Sequence, residues 1–111
     1  MARKRCPTTL GFSRQEHEDK FQIAADFCKE YGKRFMKNIG EGKCDLAFRN
    51  LNRHANVVGQ SLVHLNAVRQ AVRSDRGRKG ITKKFGRSVN MQRKMEKAHT
   101  AYMARFEEDC T

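Results

Sequence analysis

Residues 43–73 read KCDLAFRNLNRHANVVGQSLVHLNAVRQAVR, and the fold turns on this stretch. Cys44, Ala47, Phe48, Leu51, Ala55, Val58, Leu62, Leu65, Val68 and Val72 recur at steps of three and four. The pattern holds for about eight turns, which is the signature of a long amphipathic α-helix. The remaining faces are unusual. Asn50, Asn52, Asn56, Gln60, Ser61, Asn66 and Gln70 are polar but uncharged, and Ala55, Gly59, Val63 and Ala67 form a narrow low-profile stripe. A helix patterned this way is expected at the centre of the fold, with neighbours on more than one side.

On the N-terminal side, Ser13-Arg14-Gln15-Glu16 is a capping box, in which hydroxyl and carboxylate each serve the other residue's amide. Phe21, Ala24, Cys28, Tyr31, Phe35 and Ile39 then line one face of a helix over about 13–39, which Gly40 and Gly42 stop. On the C-terminal side, Ser88 is a good N-cap for a third helix over 88–109. Met91, Met95, Ala98, Tyr102 and Phe106 form its apolar side. Glu107, Glu108 and Asp109 oppose the helix dipole there, so that end is expected to fray unless a basic neighbour holds it.

No strand pattern or repeat stands out, and the only proline is Pro7. The expected fold is all-α: an elongated antiparallel three-helix bundle with helices at 13–39, 43–73 and 88–109. Residues 1–12 form a basic N-terminal arm and 13–111 a single helical domain, in keeping with 111 residues. The short Gly40–Gly42 connection forces a hairpin, and a long basic loop joins the second helix to the third.

The formal net charge is +12, a surplus that repels itself unless a polyanion or an acidic partner neutralises it. It is also unevenly placed. From Arg69 to Lys94 there are ten Lys/Arg and one acid, Asp75. Antiparallel packing sets this stretch at the pole where the first helix begins, beside Arg3, Lys4 and Arg5 of the arm. Arg73, Arg76, Arg78, Lys79, Lys83, Lys84 and Arg87 supply donors on flexible stems, and Gly77, Gly80 and Gly86 let a backbone approach closely. Arg76-Gly77-Arg78 resembles the core of an AT-hook, but Lys79 stands where that motif continues with proline. Phe85, the loop's one aromatic, is expected to plug the end of the bundle rather than stack on a base.

Cys6, Cys28, Cys44 and Cys110 show neither C-x-x-C nor zinc-ligand spacing, and no H-x-x-x-H exists, so no metal or other cofactor is expected. In the hairpin Cys28 lies opposite His54 and Cys44 near Asn38, about 15 Å apart along the axis. That is too far for a disulfide, and Cys6 and Cys110 belong to opposite poles. All four are therefore expected to be reduced thiols. His17, His64 and His99 have no recognisable companions, and the Cys28–His54 pair lacks an orienting third group. P-loop and dinucleotide fingerprints are absent, so no enzymatic activity is expected.

Met1–Cys6 has the charge of a signal-peptide start, but no apolar run follows. The protein is expected to be soluble and intracellular (cytoplasmic, nucleoid or nuclear, or packaged within a particle), not secreted, with no membrane partner. The leading functional expectation is a non-enzymatic nucleic-acid-binding protein, DNA or RNA, gripping phosphates through Arg3, Lys4, Arg5, Arg73, Arg76, Arg78, Lys79, Lys83, Lys84 and Arg87 with little sequence readout. The alternative is a helical structural subunit of a virion, ribonucleoprotein or other large complex, meeting protein partners or copies of itself through the second helix.

Overall fold

The computed structural model describes residues 13–74 and 79–111, with side chains outside 73–82. The chain forms α1 (Arg14–Gly40), α2 (Cys44–Ser74) and α3 (Lys79–Cys110), arranged as a three-helix bundle with principal extents of 52 × 31 × 17 Å. α1 packs most extensively on α2, α3 packs on α2 over fewer residues, and α1 and α3 meet least. The second helix is thus the common partner.

Local chemistry sets the helix ends. Ser13 Oγ accepts from the Glu16 amide at 3.2 Å, and Glu16 Oε1 accepts from the Ser13 amide at 2.8 Å, which completes the capping box. At the other end of α1 the Glu41 and Gly42 amides donate back to Lys37 and Ile39 carbonyls, both at 3.1 Å, and the Lys43 amide donates to Asn38 at 2.8 Å. Gly42 adopts φ +70°, a left-handed value that glycine takes without a Cβ penalty. The chain reverses within three residues.

Two apolar clusters fill the bundle. Phe21, Ala25, Cys28, Val57, Leu65 and Met95 form one, with Tyr31, Val58, Phe85, Val89 and Met91 packed against it. Phe35, Ile39, Ala47 and Leu51 form the other, with Tyr102, Phe106 and Cys110 against it. Burying each large side chain contributes about 1.5–3 kcal/mol. The expected faces of α1 and α3 match these clusters. α2 departs from expectation: Phe48, Ala55 and Leu62 are exposed, while Asn50, His54 and Ser61 are buried.

The third helix begins nine residues earlier than Ser88 suggests, so Lys79–Arg87 is helix and the long basic loop shrinks to a short connection. The cause is burial. Phe85 and Val89 stand four apart and both pack on the first cluster, so tertiary contact extends the helix through Ser88 despite its capping preference. Lys84 Nζ also meets Glu18 Oε1 at 3.0 Å, which places the start of α3 beside the start of α1.

The reduced-thiol expectation fails for two cysteines. Cys44 and Cys110 form a disulfide, with Cα atoms 5.7 Å apart. The antiparallel course brings the start of α2 and the end of α3 to one pole, a pairing that comparing only Cys28 with Cys44 and Cys6 with Cys110 passes over. Cys28 is a buried free thiol. The acidic end of α3 continues as helix to Cys110, held by that bond and by the Arg105–Asp109 ion pair at 2.6 Å. Cysteine chemistry therefore gives no ground for a reducing compartment. Among the described residues no helix is long and apolar enough to cross a membrane.

Gly32 has a steric role. A Cβ built there would lie 2.7 Å from Tyr102 Oη and 3.1 Å from its ring. That ring is itself packed on Phe35 and His54, with centroids 5.1 Å away in both cases. Gly32→Ala is expected to destabilise by about 1–3 kcal/mol through overpacking. Gly59 has open space around it, so Gly59→Ala should stabilise by about 0.5–1 kcal/mol through helix propensity; urea denaturation of the two variants checks the opposite signs. Reducing Cys44–Cys110, which closes a separation of 66 residues, should cost about 4 kcal/mol on chain-entropy grounds. Denaturation with and without dithiothreitol measures that loss, and a non-reducing digest should contain the cross-linked peptide.

Candidate functional site

The cations of α3 follow the helical repeat once the helix is taken back to Lys79. Lys83, Arg87, Lys94 and Lys97 lie at steps of four, seven and three, with Asn90 filling the turn between Arg87 and Lys94. All five residues are exposed. The stripe covers about 21 Å at the helical rise, and none of its cations has an ion-pair partner among the described residues. The first turn of α3 holds no acidic residue. Positive side chains near a helix N-terminus oppose the dipole, and a bound anion would relieve both charges at once.

Three of the ten expected phosphate-binding residues have described side chains. Lys83 and Arg87 share the exposed stripe; Lys84 turns to another side and is held by Glu18, which also pairs with Arg14 at 3.6 Å. Arg73 lies in the last turn of α2 and Lys79 starts α3, but their side chains are outside the described set, as are Arg3, Lys4, Arg5, Arg76 and Arg78 altogether. Lys94 and Lys97 were not singled out as contacts from the sequence, because a loop reading offers no phase to align them with Lys83. Phe85 packs into the core as expected, with the Arg69 guanidinium 5.8 Å from its ring centroid.

The histidines are not isolated. His17 and His64 join α1 to α2, and His54 and His99 join α2 to α3, each pair with Nδ1 atoms 2.9 Å apart. Such a contact needs one ring to donate from Nδ1 and the other to accept there, so the two rings of a neutral pair are opposite tautomers. Protonating the accepting Nδ1 as well would set two donors face to face. His54 and His17 are buried. Burial, followed by the His99 charge, lowers the His54 pKa to about 4. Burial also lowers His99, and it lowers His64 together with the charges of His17 and Lys20.

Cys28 and His54 both line the space between α1 and α3. Burial pushes the Cys28 thiol up to about 11, so it stays protonated at neutral pH, opposite to what a nucleophile needs. Among the described residues no group of three or more His, Cys, Asp or Glu could hold a metal ion.

The histidine pairs set a pH dependence. A folded pKa near 4 against about 6.5 in the unfolded chain means that unfolding takes up a proton between those values. The His54 contribution is complete above about pH 6.5 and is lost as pH falls toward 4, at a slope on the order of 1 kcal/mol per pH unit. Tm should therefore drop between pH 7 and pH 4.5, and His54→Asn should flatten that drop while lowering Tm at neutral pH; calorimetry across the range tests both.

No protein-family model matches the chain, and no curated protein or solved structure matches it either.

Proposed function

We propose that this protein binds nucleic acid without catalysing a reaction on it, gripping backbone phosphates through the basic face of α3 and the basic segments next to it. The observation that carries this reading is the row of Lys83, Arg87, Lys94 and Lys97 on one helix face, none of them with an ion-pair partner among the described residues. Four cations held in line cost self-repulsion in the free protein, and phosphates relieve it. Their setting favours charge recognition over base reading. Long flexible side chains on a helix flank reach a backbone, whereas base discrimination calls for Asn, Gln or Arg aimed in bidentate fashion at base edges. Arg73, Arg76, Arg78, Lys79 and the arm residues Arg3, Lys4 and Arg5 extend the same chemistry.

A second reading, a helical assembly subunit, is favoured by the outer face of α2. Asn52, Asn56, Gln60, Asn66 and Gln70 are exposed there, and so are Ala55, Gly59, Leu62 and Val63. A low-profile helix face of amides and small apolar groups suits close packing by a second protein. The two readings combine in a subunit packaged with its nucleic acid, a setting compatible with the Cys44–Cys110 bond.

Titrating fluorescent DNA and RNA, single- and double-stranded, against salt tests the first reading. With about five to seven phosphates engaged on duplex DNA, log K should fall with log salt at a slope of about −5 to −6. Replacing Lys83, Arg87, Lys94 and Lys97 together by Gln should make that slope shallower by about 3–4. Salt-independent binding, or an unchanged slope in the quadruple variant, would sink the phosphate grip. A strict monomer in sedimentation at high concentration would count against the assembly reading.

A further inference from the structure

A shallow groove of about 280 Å³ runs between α1 and α2, walled by Phe27 and Tyr31 on one side and by Arg53, Asn56, Val57 and Gln60 on the other. It lies on the side turned away from α3. Lys29 and His54 border α3, whereas Phe27 stands two residues from Lys29, on nearly the opposite side of α1. The aromatic wall is a stack along α1. Phe27 and Tyr31 have centroids 5.8 Å apart and planes within 16° of each other. The Arg34 guanidinium lies 5.7 Å from the Tyr31 centroid, one turn further on. Tyr31 covers one face of the Phe27 ring, yet Phe27 remains 48% exposed. On the other wall Arg53, Asn56 and Gln60 recur at three and four residues, are exposed, and bond to no other described residue. From Leu46 to Ser74 α2 holds no acidic residue.

We infer that this groove takes an unpaired base of single-stranded nucleic acid, stacked on Phe27, with its edge at Asn56 and Gln60 and its phosphate at Arg53. Each part of the ligand answers a part of the groove. A base presents a flat face that stacks on an exposed aromatic ring. Its edge carries both donors and acceptors, which an amide matches because it offers both. Its phosphate calls for a cation with no acid beside it, and Arg53 is placed that way. The strand must be single. Bases inside a duplex are covered above and below by their neighbours, so a ring on a helix surface cannot stack on them.

Other occupants fit less well. A second copy of the chain would bring another charge of +12 to the same face. An apolar peptide would cover Phe27 but strip water from two amides and a guanidinium without replacing it. The inference rests on the nucleic-acid reading of this protein. It adds a contact off the α3 stripe, one that separates unpaired strands from duplexes.

The test compares a mixed-sequence single strand, its duplex, and an abasic strand of the same length, each titrated against the intact protein at fixed salt. Phe27→Ala should weaken single-strand binding about 5- to 100-fold. It should leave duplex and abasic-strand binding, and the salt slope of each, as in the parent. Phe27→Trp should keep single-strand affinity. In a chain with no other Trp, its fluorescence should be quenched saturably by the single strand and not by the abasic strand. Phe27→Ala that binds the single strand as tightly as the parent, or loses equally on all three ligands, would overturn the inference. So would equal Trp quenching by base-bearing and abasic strands. Salt-dependent binding to every strand form with no effect of Phe27→Ala would leave the phosphate grip standing and remove only the base site. Binding to no nucleic acid at all would remove both. Self-association that Phe27→Ala abolishes in the absence of nucleic acid would give the groove to a second copy instead.

Discussion

Everything in this structure depends on α2 being buried on two sides while carrying polar groups into both contacts. Asn50 donates to Asn38 of α1 at 2.7 Å, and His64 meets His17 of the same helix. On the other side Ser61 donates to Gln92 of α3 at 2.6 Å, and His54 meets His99. Gln92 also donates to the Val58 carbonyl at 3.2 Å, back across the same seam. Two polar contacts therefore tie α2 to α1 and three tie it to α3. A satisfied pair of this kind adds only about 0.5–1.5 kcal/mol, but an unpaired buried member costs about 1–3 kcal/mol. The polar contacts thus penalise slipped registers more than they stabilise the correct one, while the apolar clusters supply most of the driving force.

This division of labour explains which parts of the fold were legible in the sequence. α1 has a capping box and a clean apolar stripe, and both are realised at the expected residues. α2 was recognisable as a helix from its period, but its buried face was assigned by hydrophobicity. Asn50 and Ser61 read as outer-face residues and His54 as a seam residue opposite Cys28, since nothing local says that Asn38, Gln92 and His99 will meet them across the bundle. Leu62 and Phe48 were placed inside for the same reason. A pattern of apolar residues reports a face only when polar residues are not also buried on it.

The candidate site was legible in its charge and not in its geometry. Lys83 and Arg87 drew notice as part of a basic run, but Ser88 and the nearby glycines argued for a loop. Phe85 and Val89, four residues apart and both needed by the core, decide for helix, and that consequence of packing aligns Lys94 and Lys97 with them. The Cys44–Cys110 bond was missed on similar grounds. The pole shared by the start of α2 and the end of α3 follows from antiparallel topology, whereas residue-by-residue spacing hides it.

That bond also changes the topology of the chain. It closes residues 44–110 into a covalent ring that contains all of α2 and α3, while α1 enters the ring only once, as a tail joined through the Gly42 turn. Both junctions, the turn and the disulfide, sit at the same end of the bundle. The chain itself joins α2 to α3 at the opposite end, so these two helices are tied at both ends, whereas α1 is joined to them covalently only through the Gly42 turn. The start of α1 is thus held to the bundle by noncovalent contacts, among them packing, the His17–His64 contact and the Lys84–Glu18 ion pair, and any opening begins there while the ring of α2 and α3 stays closed.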